Sequence, residues 1–95
     1  MGKRENKVES YITREVKKLG GRCYKWESPG NNGVPDRIIV LNNKVFFVEV
    51  KAFDEEPTIQ QIRQIKWLQS NGQDARIVSG MINAVLFVSK VLKNV

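Results

Sequence analysis

Two runs of β-branched and aromatic residues, 37–41 (Arg-Ile-Ile-Val-Leu) and 44–50 (Lys-Val-Phe-Phe-Val-Glu-Val), are separated by only Asn42-Asn43. Asparagine tolerates the positive φ that a two-residue turn needs, so the runs are expected to pair as an antiparallel hairpin. A symmetric turn sets Leu41 opposite Lys44, Val40 opposite Val45 and, carried outward, Asp36 opposite Glu49. Directly opposed residues share a face with Cβ atoms roughly 5 Å apart, and Lys51, two residues beyond Glu49, points the same way. The register therefore gathers two acids and one amine at one end of the hairpin. A three-residue loop or a bulge would undo it.

Elements on either side of the hairpin can be read from spacing and punctuation. Val8, Tyr11, Ile12, Val16 and Leu19 recur at helical spacing over 6–19, with Gly20-Gly21 able to cap the C-terminus. Residues 22–26 read as a short strand and 28–33 (Ser-Pro-Gly-Asn-Asn-Gly) as a loop. After the turn Asp54-Glu55-Glu56-Pro57, Thr58 can cap a second helix carrying Ile59, Ile62, Ile65, Trp67 and Leu68, ending near Asn71-Gly72. Residues 75–79 read as a fourth strand. Segment 81–92 is apolar on almost every side, and its length favours a helix that is both core and candidate subunit interface. With 95 residues there is room for one domain, 1–95. The expected fold is α/β, a small mixed sheet flanked by helices in the order α-β-β-β-α-β-α, and the doubly apolar hairpin calls for helices on both faces.

The net charge is +6, and residues 1–25 carry eight Lys or Arg against three acids. Lys7, Arg14, Lys18, Lys25 and Arg37 are candidate phosphate contacts. Cys23 is the single cysteine, so no internal disulfide can form, and it reads as a small buried apolar residue. There is no histidine, which removes the commonest general base and the usual zinc ligand, so a metal here must be held by oxygen. No apolar run approaches the roughly 20 residues of a bilayer span, and Asn6 spoils a myristoylation pattern after Gly2. The expected setting is cytoplasmic, with no membrane and no small-molecule cofactor.

Opposed carboxylates repel, and a hard cation between them relieves that repulsion. Mg²⁺ takes oxygen ligands at roughly 2.1 Å and keeps several waters. It would polarise a phosphoryl group, and Lys51 could orient a water or offset charge on the transition state. A lone Glu-x-Lys is common in strands as ordinary surface charge. Here the acids are expected to converge, the flanking Phe46, Phe47, Val48 and Val50 are core-like, and Pro35 stands before Asp36.

Val34-Pro35-Asp36 followed by Glu49-Val50-Lys51 resembles the PD-(D/E)xK nuclease superfamily. Gly33-Val34-Pro35-Asp36-Arg37-Ile38, Glu49-Val50-Lys51-Ala52 and Pro57-Thr58-x-x-Gln61 are most similar, within it, to the VRR-NUC (virus-type replication-repair nuclease) family. The resemblance runs from about Val8 to Ser79. It implies a restriction-endonuclease-like fold and a Mg²⁺ or Mn²⁺ endonuclease. Asp36, Glu49 and the Val50 backbone carbonyl would bind metal, with Glu9 from the first helix, and Lys51 would serve the catalytic water. Gln61 matches a helix-2 glutamine near the site; Thr58-x-x-Gln61 is also a capping box, and of the two readings the resemblance favours a catalytic Gln61. Gln60 and Gln64 are weaker substitutes. Trp67, beside Leu68, reads as structural, while Trp26 is open between core and base stacking.

So small a domain has no separate recognition module, which favours DNA shape over sequence. Stand-alone members of the resembled family look like junction-cleaving enzymes of viral origin, which would put this chain in a host cell. The expected activity is a homodimeric endonuclease acting on branched or Holliday-junction DNA. The rivals are an archaeal-type junction resolvase relative, in which Ser28 takes a site role, and a catalytically silent DNA-binding module.

Overall fold

Asn42 and Asn43 adopt φ of 49° and 65°, the left-handed values that match a tight turn to the twist of its strands. The computed structural model describes residues 3–95, and in it β2 (Arg37–Leu41) and β3 (Lys44–Lys51) pair antiparallel from Leu41↔Lys44 to Arg37↔Val48, the expected register. β1 (Arg22–Lys25) adds antiparallel to β2. β4 (Asp74–Ser79) lies parallel to β3, giving the order β1-β2-β3-β4. A parallel neighbour needs a crossover, and α2 (Ile59–Ser70) supplies it.

The two faces of this mixed sheet are covered by different helices. α1 (Lys3–Lys18) and α3 (Gly80–Leu86) pack on one face, where Val8, Ile12, Val16, Ala84, Phe87, Val88 and Leu92 meet Ile39, Leu41, Phe46, Val48, Val50 and Val78. On the other, Ile65 and Leu68 of α2 pack on Ala75, with Trp26, Phe47 and Ile77 at the margin. α1 stops where Gly20, at φ 88°, lets Gly21 donate back to the Val16 carbonyl at 3.0 Å.

Two expectations need correction. The C-terminal segment is not one α-helix over 81–92: after Leu86 it passes through a π turn, Phe87–Val91, into a 3₁₀ turn, Leu92–Asn94. The N–H of Leu92 reaches back five residues to Phe87, and Phe87, Val88 and Leu92 stay buried throughout. Trp67, expected to be structural, faces solvent, and Trp26, open between core and stacking, packs on the sheet. Trp26 packs on Phe47 with ring centroids 5.6 Å apart, whereas Trp67 is 63% exposed. One residue along a helix turns the side chain by about 100°, enough to carry Trp67 off the stripe that buries Leu68. No helix among the described residues is long and apolar enough to cross a membrane.

Candidate active site

β2 begins at Arg37, which leaves Asp36 one residue outside the ladder. Its carbonyl accepts the Trp26 N–H at 2.9 Å, and its Oδ2 accepts the Val50 N–H at 2.9 Å. The second bond fastens the carboxylate to β3 beside Glu49, so the acids converge by a side-chain bond rather than as a ladder pair. Glu49 is 1% exposed, and neither of its oxygens has a hydrogen-bond partner. Burial, then the negative charge of Asp36, pushes its pKa up to about 8, against the pull of Lys51. Lys51 Nζ stands 3.3 Å from Glu49 Oε2 in a buried ion pair.

α1 brings two more acids. Glu5 and Glu9 are four residues apart and share a helix face, and both are buried. One carboxylate oxygen from each of Glu5, Glu9 and Asp36 falls within 4.8 Å of the others. Arg37 donates from Nε and Nη2 to Glu9 Oε2 at 3.2 and 3.0 Å, while Glu9 Oε1 is buried without a partner. The Glu5 pKa is raised, first by burial and then by the negative charges of Glu55 and Asp36. Glu55 is held by the Ala52 N–H on its Oε1 at 2.8 Å.

Buried carboxylate oxygens without partners are costly, and like charges this close repel. A divalent cation with oxygen ligands answers both, and the donor set present, all carboxylate, fits Mg²⁺ or Mn²⁺. Glu5 was absent from the expected site. The signal available for it was its i,i+4 spacing to Glu9.

Other expected residues lie elsewhere or are already engaged. Gln61 forms both halves of the capping box: its N–H donates to Thr58 Oγ1 at 3.1 Å and its Oε1 accepts the Thr58 N–H at 2.8 Å. Ser28 accepts from Asn31 Nδ2 at 2.9 Å inside its own loop. Arg37, expected on phosphate, is committed to Glu9. Lys18 pairs with Glu15 at 3.1 Å and Lys25 with Glu27 at 3.6 Å, surface pairs in which both lysines stay exposed. Lys7, Arg14 and Lys18 form one stripe on α1, but it lies about 160° around the helix from Glu5 and Glu9. That stripe faces away from the acids, and its charge acts on a polyanion over distance. Cys23 is half-buried and receives a weak bond from Thr13 Oγ1 at 3.6 Å.

No family model matches the chain. A relative from Acyrthosiphon pisum secondary endosymbiont phage 1, named "Putative nuclease p44", is 42% identical over 88 residues, spanning 86% of this chain and 95% of its own. A solved structure named "VRR_NUC domain" superposes with a TM-score of 0.86 at 22% identity, over 95% of this chain and 99% of that one. A second, named "VRR_NUC domain protein", gives 0.75 at 19% identity over 98% and 91%. Hjc of Archaeoglobus fulgidus, a Holliday junction resolvase, gives 0.59 at 17% identity over 79% of this chain and 67% of that one. The chain belongs to the nuclease family of that phage relative, named as a putative nuclease and matched over 95% of its length, and it has the fold of the two VRR_NUC domain structures.

Proposed function

We propose that this nuclease is a divalent-metal-dependent endonuclease that cuts DNA as a homodimer, with branched DNA such as a four-way junction as its substrate. The observation that carries the reading is the cluster of buried Glu5 and Glu9 with half-buried Asp36, next to buried Glu49 and its ion-pair partner Lys51. Asp36 and Glu49, with Glu9, Glu5 and the Val50 carbonyl, would hold Mg²⁺ or Mn²⁺. A bound cation supplies phosphoryl polarisation and a water of lowered pKa. The Lys51 ammonium, beside Glu49, would orient the attacking water and offset the charge that builds on the phosphoryl oxygens. Arg37 holds Glu9 in place, and the Val50 N–H holds Asp36. Gln61 enters this proposal as the cap of α2.

The dimer rests on the outer face of α3, where Met81, Ile82, Val85 and Leu86 are all exposed beside one another. A two-fold contact would cover them and supply two sites for the two equivalent strands of a junction. The structural neighbour that is a Holliday junction resolvase supports the choice of substrate.

Cleavage of a four-way junction and of a matching linear duplex, with Mg²⁺ and with chelator, tests the proposal. The expected result is paired, symmetric incision of the junction with Mg²⁺ only, abolished by Asp36→Asn. Binding without cutting under every metal condition would make the chain a silent DNA-binding module and sink the reading.

A further inference from the structure

The loop 28–33 and α2 enclose a groove of about 530 Å³, lined by Asn31, Asn32, Gln60, Arg63, Gln64 and Trp67, which the chemistry above does not use. Its composition is selective. No carboxylate lines it, Arg63 is its single charge, and Arg63 makes no ion pair among the described residues. Trp67 is 63% exposed on a helix that buries Ile65 and Leu68. A large aromatic surface left in water loses the stabilisation that burial would give it.

Two contacts seat the loop on α2. Gly33, at φ +86°, lies so close to α2 that an added Cβ would come within 2.5 Å of the Gln60 backbone. Gln64 Nε2 donates to the Asn32 carbonyl at 3.4 Å across the gap. The loop leads toward the acids: Gly33 precedes Asp36 by three residues, which limits their Cα separation to at most about 11 Å.

We infer that this groove receives an unpaired nucleotide of the strand being cut, its base stacked on Trp67 and its phosphate on Arg63, a deepening that rests on the nuclease reading. Stacking on an aromatic is tolerant of sequence because every base has a π face. Arg matches phosphate through a planar fork of donors. The side-chain amides of Asn31, Gln60 and Gln64 each carry a donor and an acceptor, so they can meet any base edge without selecting one. A fully paired duplex hides its base faces in the stack. The groove thereby discriminates frayed ends, flaps and junction centres from intact duplex, using a surface apart from the acids.

Fluorescein-labelled oligothymidylate, titrated in chelator so that nothing is cut, tests this by anisotropy. Trp67→Ala is expected to weaken binding by about 5- to 150-fold with an unchanged melting temperature, since the side chain is exposed. Trp67→Phe keeps a stacking face and should stay within about threefold of wild type. Oligothymidylate should quench wild-type indole emission and leave Trp67→Phe unquenched. Arg63→Ala should lower the slope of log affinity against log salt by about 0.7. Wild-type affinity in Trp67→Ala, without indole quenching in the wild type, overturns the groove. Mg²⁺-dependent cutting of branched DNA by that same wild type would leave the nuclease reading standing. Trp67-dependent binding by a chain that never cuts supports the groove and overturns the nuclease reading instead.

Discussion

Arg37 and Glu9, 28 residues apart in sequence, meet through two hydrogen bonds to one carboxylate oxygen, Oε2, at 3.2 and 3.0 Å, which leaves Oε1 buried and free. A carboxylate held by one oxygen and bare at the other is positioned to give that second oxygen to a cation. Such outer partners orient ligands, and their loss weakens metal binding by about 10- to 100-fold. Arg37→Lys keeps the charge but loses the fork. It is expected to fold normally and to show that order of loss in Mn²⁺ affinity by calorimetry, with a parallel loss in cleavage. Unchanged Mn²⁺ affinity would reduce Arg37 to an internal counter-charge.

Gln61 offers a clean separation of cap from catalyst, because its Oε1 is spent on the Thr58 N–H. Gln61→Ala removes that acceptor and is expected to cost about 0.5–1.5 kcal/mol, a fall of several degrees in Tm for a domain of this size. Gln61→Glu keeps an accepting oxygen and adds a favourable charge to the first turn of α2, so its Tm should match or exceed wild type. Cleavage should stay within threefold in both when assayed well below Tm. A tenfold loss in Gln61→Glu with intact Tm would return the amide nitrogen to the chemistry.

The hairpin was legible because Asn42-Asn43 fixes both turn type and register, and the register draws Asp36 toward Glu49 and Lys51. What escaped depends on which way a helix faces. Glu5 looks like any charged residue in a first turn until α1 lies over the sheet and buries it beside Glu9 and Asp36. Trp67 next to Leu68 could not be told from core by composition, since the boundary of the buried stripe is set by how α2 rolls on Ala75 and Phe47. Arg37 read as a phosphate contact because its partner lies on an element far away in sequence.

The exposed face of α3 makes its own prediction. Ile82 is 80% exposed, with Met81, Val85 and Leu86 beside it, so a charge there should split a dimer without disturbing the core. Ile82→Asp is expected to run as a monomer by light scattering, where wild type is expected to run as a dimer, and to nick junctions singly instead of incising them in pairs. A wild-type chain that is monomeric at micromolar concentration defeats this use of α3.

Glu49 should leave a pH signature in both stability and activity. Its pKa rises from 4.5 to about 8 on folding, through burial and the charge of Asp36, so the folded state holds a proton that the unfolded chain releases. The stability this contributes is complete below pH 4.5, falls as pH rises toward 8 and is gone above it, at up to about 1.4 kcal/mol per pH unit. Glu5, also raised, acts in the same direction. With chelator present, wild type should therefore lose Tm between pH 5 and pH 8 more steeply than Glu49→Gln, which has no proton to lose there and should be the more stable of the two at about pH 8. Adding Mn²⁺ should reverse that order, because the cation takes the place of the proton on wild type and finds a poorer ligand in the amide. Cleavage by wild type should climb through the same range as the proton leaves, and Glu49→Gln should not cut at any pH. Melting curves for the two proteins that run parallel from pH 5 to pH 8 would show that Glu49 is ionised throughout and that its burial among the acids is relieved by some other contact.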